Sequence, residues 1–158
     1  MKHVTTRSLL FIFAFSILGF LTSCDKDDEE TEVEPSRTEL LTADTWRGDK
    51  ILVNGLETDS PILLALIPNI GVYVPDAKSI ILTFNEDGTY TGQYTQGGQT
   101  IPANGEWEFT DNEEKISGNF FGLTSEADVK DLTTSKLTLT TSTMYQGNSF
   151  PVEIQLVR

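Results

Sequence analysis

Residues 79–95 read Ser79-Ile80-Ile81-Leu82-Thr83-Phe84-Asn85-Glu86-Asp87-Gly88-Thr89-Tyr90-Thr91-Gly92-Gln93-Tyr94-Thr95. Successive side chains of a strand point to opposite faces, so Ile80, Leu82 and Phe84 share one face with Tyr90, Gly92 and Tyr94 across the turn. The other face carries Thr89, Thr91 and Gln93. The connection Asn85-Glu86-Asp87-Gly88 is too short for a parallel crossover, which needs a dozen residues or more. An antiparallel hairpin with one apolar face follows.

The same alternation extends in both directions. Strands are predicted over 46–54, 79–84, 89–95, 105–110, 115–121, 136–141 and 150–157, with weaker runs at 99–101 and 127–132. Their common inner face adds Gly105, Trp107, Phe109, Ile116, Gly118, Phe120, Leu137, Leu139, Phe150, Val152, Ile154 and Leu156. The fold class is therefore all-β. So many strands with one apolar face form an antiparallel up-and-down meander of about eight strands, and closure into a barrel removes exposed edges.

One stretch breaks the pattern, Ser60-Pro61-Ile62-Leu63-Leu64-Ala65-Leu66-Ile67-Pro68. Ser60 suits an N-cap, Pro61 the first helical position, and Pro68 ends the helix near Leu66. This predicts about two helical turns across one mouth of the barrel, between the first two strands. Ile62, Leu63, Leu66 and Ile67 are then a plug that completes the core, a gate over a cavity, or a patch that docks a partner.

The chain has 158 residues, with 11 Lys and Arg against 24 Asp and Glu. Its only histidine is His3 and its only cysteine Cys24. Residues 1–8 are basic, 9–21 (LLFIFAFSILGFL) form an apolar run, and Leu21-Thr22-Ser23-Cys24 follows, the pattern of a secretory signal. Thirteen residues span about 20 Å, short of a bilayer core of roughly 30 Å. With Lys2 and Arg7 removed, nine cations face 24 acids, a net charge of −15 that repels nucleic acid. Loss of His3 leaves no His-based triad and no His-ligated metal, and a lone cysteine makes no intrachain disulfide. No cofactor is expected.

The Leu-Thr-Ser-Cys ending resembles the lipobox of bacterial lipoproteins, with Thr-Ser in place of the commoner Ala-Gly. That resemblance implies a diacylglyceryl thioether on Cys24 and release by the lipoprotein signal peptidase. Residues 25–34 then hold seven acids and one lysine, a self-repelling block that cannot bury itself. The run Lys26-Asp27-Asp28-Glu29 is similar to the export signal that sends Bacteroidota lipoproteins to the outer face of the outer membrane. The expected organisation is a signal peptide at 1–23, a lipidated cysteine and acidic tether at 24–38, and a barrel domain at 39–158. The implied location is the outer membrane, facing the exterior.

Within the barrel, Leu40-Leu41…Thr45-Trp46, the Ile81–Tyr90 hairpin, Gly105-Glu106-Trp107 and Leu132-Thr133…Lys136-Leu137-Thr138-Leu139 resemble lipocalin-like domains of Bacteroidota lipoproteins. Those domains open on Gly-x-Trp, where this chain has Asp44-Thr45-Trp46. The resemblance spans about residues 40–158 and implies a small barrel that binds a ligand or partner.

Candidate ligand-contacting residues are the inward aromatics Tyr90, Tyr94, Trp107 and Phe120, with Gly92 and Gly118 among them. Missing side chains there either leave room for a ligand or mark bends in a filled core. Glu106 and Glu108 point outward from one strand, and no apolar pocket is visible to raise either carboxyl, so an enzyme is not expected. Asp111-Asn112-Glu113-Glu114 and Asn85–Gly88 read as turns, lacking the spaced Asp-x-Asp-x-Asp-Gly loop of a calcium site. Two functions remain: a lipid-anchored domain binding a small apolar or amphipathic ligand or glycan fragment, and an accessory lipoprotein that docks into an envelope protein complex.

Overall fold

A computed structural model describes residues 34–122 and 124–158; the signal segment and Cys24 lie outside them. The first element is a helix, α1 (Arg37–Thr42), in a stretch the sequence reading divided between the tether and the approach to the first strand. A capping box starts it: the Glu39 N–H donates to Ser36 Oγ at 3.2 Å, and the Ser36 N–H donates to the Glu39 carboxylate at 2.7 Å. The Ser36 N–H, and after it the Ser36 hydroxyl, holds the Glu39 carboxyl below its ordinary range. Leu41 is buried, and the Trp46 indole N–H donates to its carbonyl at 2.8 Å.

The strands are β1 (Trp46–Val53), β2 (Leu56–Glu57), β3 (Asp76–Phe84), β4 (Thr89–Gln96), β5 (Gln99–Glu106), β6 (Glu108–Thr110), β7 (Lys115–Phe120), β8 (Thr124–Leu132), β9 (Lys136–Tyr145) and β10 (Asn148–Val157). They form one antiparallel sheet in the order β5-β4-β3-β1-β10-β9-β8-β7-β6, with β2 a short addition to β1. The two ends of that path, β5 and β6, are successive pieces of one chain segment separated only by Trp107. Residues 99–110 thus pair with β4 by their first part and with β7 by their last. Counted that way, with β2 set aside, the sheet is an eight-stranded up-and-down ring. First and last strands close it, with Arg47 opposite Val157 and Val53 opposite Val152.

The weak runs of the sequence reading are longer strands than predicted, β5 and β8. In β8 a register shift between Val129 and Asp131 interrupts the alternation, so the strand shows no clean period. A comparable shift between Gly48 and Lys50 bends β1.

The predicted inner face is the observed one. Ile80, Leu82, Phe84, Tyr90, Tyr94, Trp107, Ile116, Phe120, Leu137, Leu139, Val152, Ile154 and Leu156 are all buried in one cluster. The end of the ring beside α1 is closed by Arg158. Its guanidinium lies 4.0 Å from the Trp46 ring centroid, donates to the Thr134 carbonyl at 2.9 Å, and donates to the Leu40 carbonyl. Outside, β8 to β10 carry the ion pairs Lys130–Glu153 at 2.7 Å and Lys136–Asp131 at 3.0 Å.

Lys130 and a bond from Gln155 hold the Glu153 carboxyl below its ordinary value. A carboxyl depressed on folding adds stability above its unfolded pKa, and that stability is lost as pH falls through the folded value. Lys130→Met should therefore cost up to about 1 kcal/mol at pH 7 and close to nothing at pH 3, measured by urea denaturation. An equal cost at both pH values would assign the loss to packing of the lysine stem.

Candidate functional site

The inward aromatics occupy the interior themselves. Phe84 packs against Trp107 and Phe120, each with ring centroids 5.8 Å away, and Tyr90 meets Phe120 at 5.1 Å. The Tyr90 hydroxyl donates to the Asn119 carbonyl at 2.7 Å, and burial raises its pKa. The Trp107 indole donates to the Asn85 carbonyl at 3.1 Å. Tyr94 sits apart from these three and meets Phe121 edge to face at 5.4 Å. The structure thus brings Tyr90, Trp107 and Phe120 together around Phe84 as one packed cluster.

Gly92 and Gly118 resolve the same question. A Cβ at Gly92 would lie 2.0 Å from the Ile81 carbonyl oxygen, and one at Gly118 would lie 2.5 Å from the Phe120 ring. Gly118 also has φ +155°, which side chains rarely adopt. Neighbouring atoms fill the room these glycines leave.

The helix between the first strands is α2 (Pro61–Leu66), and it plays two roles at once. Leu63 and Ile67 are only 1% and 2% exposed and plug the ring, together with Ile70 and Val74. Ile62 and Leu66 point the other way, 62% and 65% exposed. The four residues assigned to the mouth therefore split into an inner pair and an outer pair. Sequence alone gave the helix but not this division, because both faces of so short a helix are apolar.

Beside the plug lies a groove of about 620 Å³. The chain from Asn69 to Asp76 makes one wall and the tip of the β4–β5 hairpin the other, with Leu64 and the 58–59 turn at its end. Asn69, at φ +61°, turns the chain into a 3₁₀ segment, Ile70–Val72. Two bonds staple the walls: the Gly97 N–H donates to the Gly71 carbonyl at 2.8 Å, and the Gln96 amide donates to the Val72 carbonyl at 2.9 Å. Ile70, Val74 and Pro75 are buried behind Leu64 and Val72, giving an apolar lining. Asp59 and Asp76 are its only charged members. A largely apolar concavity with a few polar groups is the usual form of a small-molecule site, and its volume falls within the usual range of roughly 300–1,000 Å³.

Two other concavities are polar. One of about 580 Å³ lies on the outer face over Lys115, Glu126, Asp128 and Thr140, with Lys115 paired to Glu126 at 3.0 Å. Another of about 480 Å³ lies at the seam over Asp87, Glu106, Trp107 and Glu108. Tyr90, Tyr94 and Phe120 line none of these three. Glu106 and Glu108 are exposed on either side of buried Trp107. Turn geometry accounts for the two acidic loops: Asp111, Asn112 and Glu113 all have positive φ, and Asp87 accepts from the Thr89 N–H and hydroxyl at 3.0 and 2.6 Å. Those two bonds hold the Asp87 carboxyl below its ordinary range.

The groove residues had no sequence signal of their own. Asp59, Asn69, Asp76, Gly97 and Gly98 read as turn chemistry, and only the fold brings three separate turns to one mouth.

No protein-family model and no curated protein matches the chain. Among solved structures, an odorant-binding protein from bovine nasal mucosa aligns with 80% of this chain and 76% of its own, at TM-score 0.45 and 15% identity. Bovine odorant-binding protein in complex with a selenium-containing odorant aligns with 78% of this chain and 75% of its own, at TM-score 0.43 and 12% identity. Likeness at that level carries no inference about what this chain binds.

Proposed function

We propose that this protein is an envelope lipoprotein, acylated on Cys24, whose domain binds a small apolar or amphipathic ligand at the mouth of the ring and not in its interior. The observation that carries the binding site is the stapled apolar groove of about 620 Å³ beside a filled core. The lipobox-like Leu21-Thr22-Ser23-Cys24 and the acidic run after it support the anchor and an outer-membrane location facing the exterior. The described chain begins at Glu34 beside α1, at the end of the ring opposite the groove.

Gly71 offers a direct test, since a Cβ there meets nothing within 4 Å and its side-chain position borders the groove. With N-phenyl-1-naphthylamine as a neutral apolar probe, the fluorescence enhancement given by the native protein should fall at least tenfold in Gly71→Trp, with near-UV circular dichroism unchanged. Enhancement that survives Gly71→Trp but disappears in a variant altered at Tyr94 would relocate the site to the interior. Mass spectrometry of the membrane-extracted protein should show a diacylglyceryl adduct on Cys24, and an unmodified thiol would remove the anchor.

A second reading rests on the outer pair of α2. Ile62 and Leu66, with Leu64, Val72, Tyr73 and Met144, are the large exposed apolar side chains at this end, and Tyr73 packs on Tyr145 beside Met144 at 5.2 Å. A protein partner seated on that surface would make the domain an accessory subunit. In-cell crosslinking from Leu66 that captures one protein, abolished by Ile62→Asp, would favour this over a small ligand.

A further inference from the structure

We propose that the mouth groove selects an amphipathic cation, its apolar body on Leu64 and Val72 and an ammonium or guanidinium against Asp59 and Asp76. This rests on the groove being a ligand site and adds the class of ligand. Asp59 and Asp76 line both the apolar groove and a smaller adjoining one of about 140 Å³, so they stand where the two meet. The smaller groove also carries Lys50 and Lys78, and both are already engaged, Lys50 with Glu57 at 2.6 Å and Lys78 with Asp49 at 2.7 Å. Neither Asp59 nor Asp76 forms an ion pair among the described residues. The Asp76 carboxylate accepts the Lys78 backbone N–H at 3.1 Å, and its backbone carbonyl accepts the Ser79 hydroxyl at 2.6 Å.

Of the six charged groups around this junction, four are acids and two are lysines, an excess of two carboxylates, with Lys50 in electrostatic reach of Asp59 as well as of its partner Glu57. A ligand lying in the groove shields those carboxylates from water. A cationic head compensates that loss, a neutral head does so in part, and an anionic head adds like-charge repulsion. The combination of apolar wall and unmatched carboxylates therefore discriminates by head group, while the wall supplies the binding.

Octylammonium, 1-octanol and octanoate share one chain and differ in charge, and they test this by calorimetry and by amide shifts in NMR. The protein is the form that begins at residue 24, with Cys24→Ser to keep it unacylated. Octylammonium should bind about fivefold more tightly than octanol, the effect expected of exposed ion pairing, with octanoate weakest and shifts centred on Leu64, Val72 and Gly97. In Asp59→Asn/Asp76→Asn, octylammonium should fall to the level of octanol. Glu86→Gln/Glu106→Gln makes the same change in net charge at exposed acids near the opposite end and should keep the fivefold preference. Octanol or octanoate binding in the groove as tightly as octylammonium would overturn the proposal and leave the groove a ligand site. So would equal loss of preference in both double variants, which would trace it to overall charge. No shift in the groove from any of the three would overturn the groove reading as well.

Discussion

Replacing Phe84 with alanine should cost about 4 kcal/mol, the upper part of the range for truncating a buried aromatic. Phe84 is 1% exposed and stands at the centre of the aromatic cluster, with Tyr90 at 6.1 Å and Trp107 and Phe120 at 5.8 Å. Three rings lose an edge or face contact at once, and Tyr90 and Trp107 cannot collapse into the gap without breaking the bonds at their polar tips. The Tyr90 hydroxyl is tied to Asn119 and the Trp107 indole to Asn85. Urea denaturation read by fluorescence and circular dichroism measures the cost. A value below about 2 kcal/mol would mean that the interior is loosely filled, and the case for a ligand there would reopen.

Arg158→Ala should cost about 3 kcal/mol through a different mechanism. The guanidinium covers Trp46, so its loss removes a stacked cation worth up to about 2 kcal/mol when shielded from water. It also strips donors from the Leu40 and Thr134 carbonyls, one on α1 and one on the β8–β9 turn. Burial of the guanidinium already lowers its pKa, and its Nε is buried without a partner, so the group is held for its plane and its fork and not for full solvation. Arg158→Lys keeps the charge and loses both the flat stack and the paired donors, and should recover less than half of the stability. Full recovery by lysine would show that charge alone acts there.

The inner face was legible because a strict period of two leaves no choice over Ile80-Ile81-Leu82-Thr83-Phe84 or Leu137-Thr138-Leu139. Where the backbone steps out of register, as between Val129 and Asp131, the period vanishes and β8 shrank to a weak run. The helix α1 did carry its signal, Ser36-x-x-Glu39, masked by the seven acids just before it. Arg158 could not be found locally, since two of its partners, Leu40 and Trp46, lie more than a hundred residues earlier. The inward aromatics were correctly placed, and their alternation is equally compatible with a lined cavity and a filled one. Only ring-to-ring distances separate those outcomes, and they moved the candidate site from the interior to three turns with no pattern in common.

The pairing of β1 with β10 has a kinetic consequence. Arg47 meets Val157 and Val53 meets Val152, so the ring cannot close until the last ten-residue strand has been made. Long-range pairing of this kind slows folding into the range of milliseconds to seconds. Until then β1 keeps one long edge unpaired, and Trp46, Ile51 and Val53 lack the strand that will bury them. Nascent molecules are thus most vulnerable to proteolysis and self-association in the interval between the synthesis of β1 and ring closure.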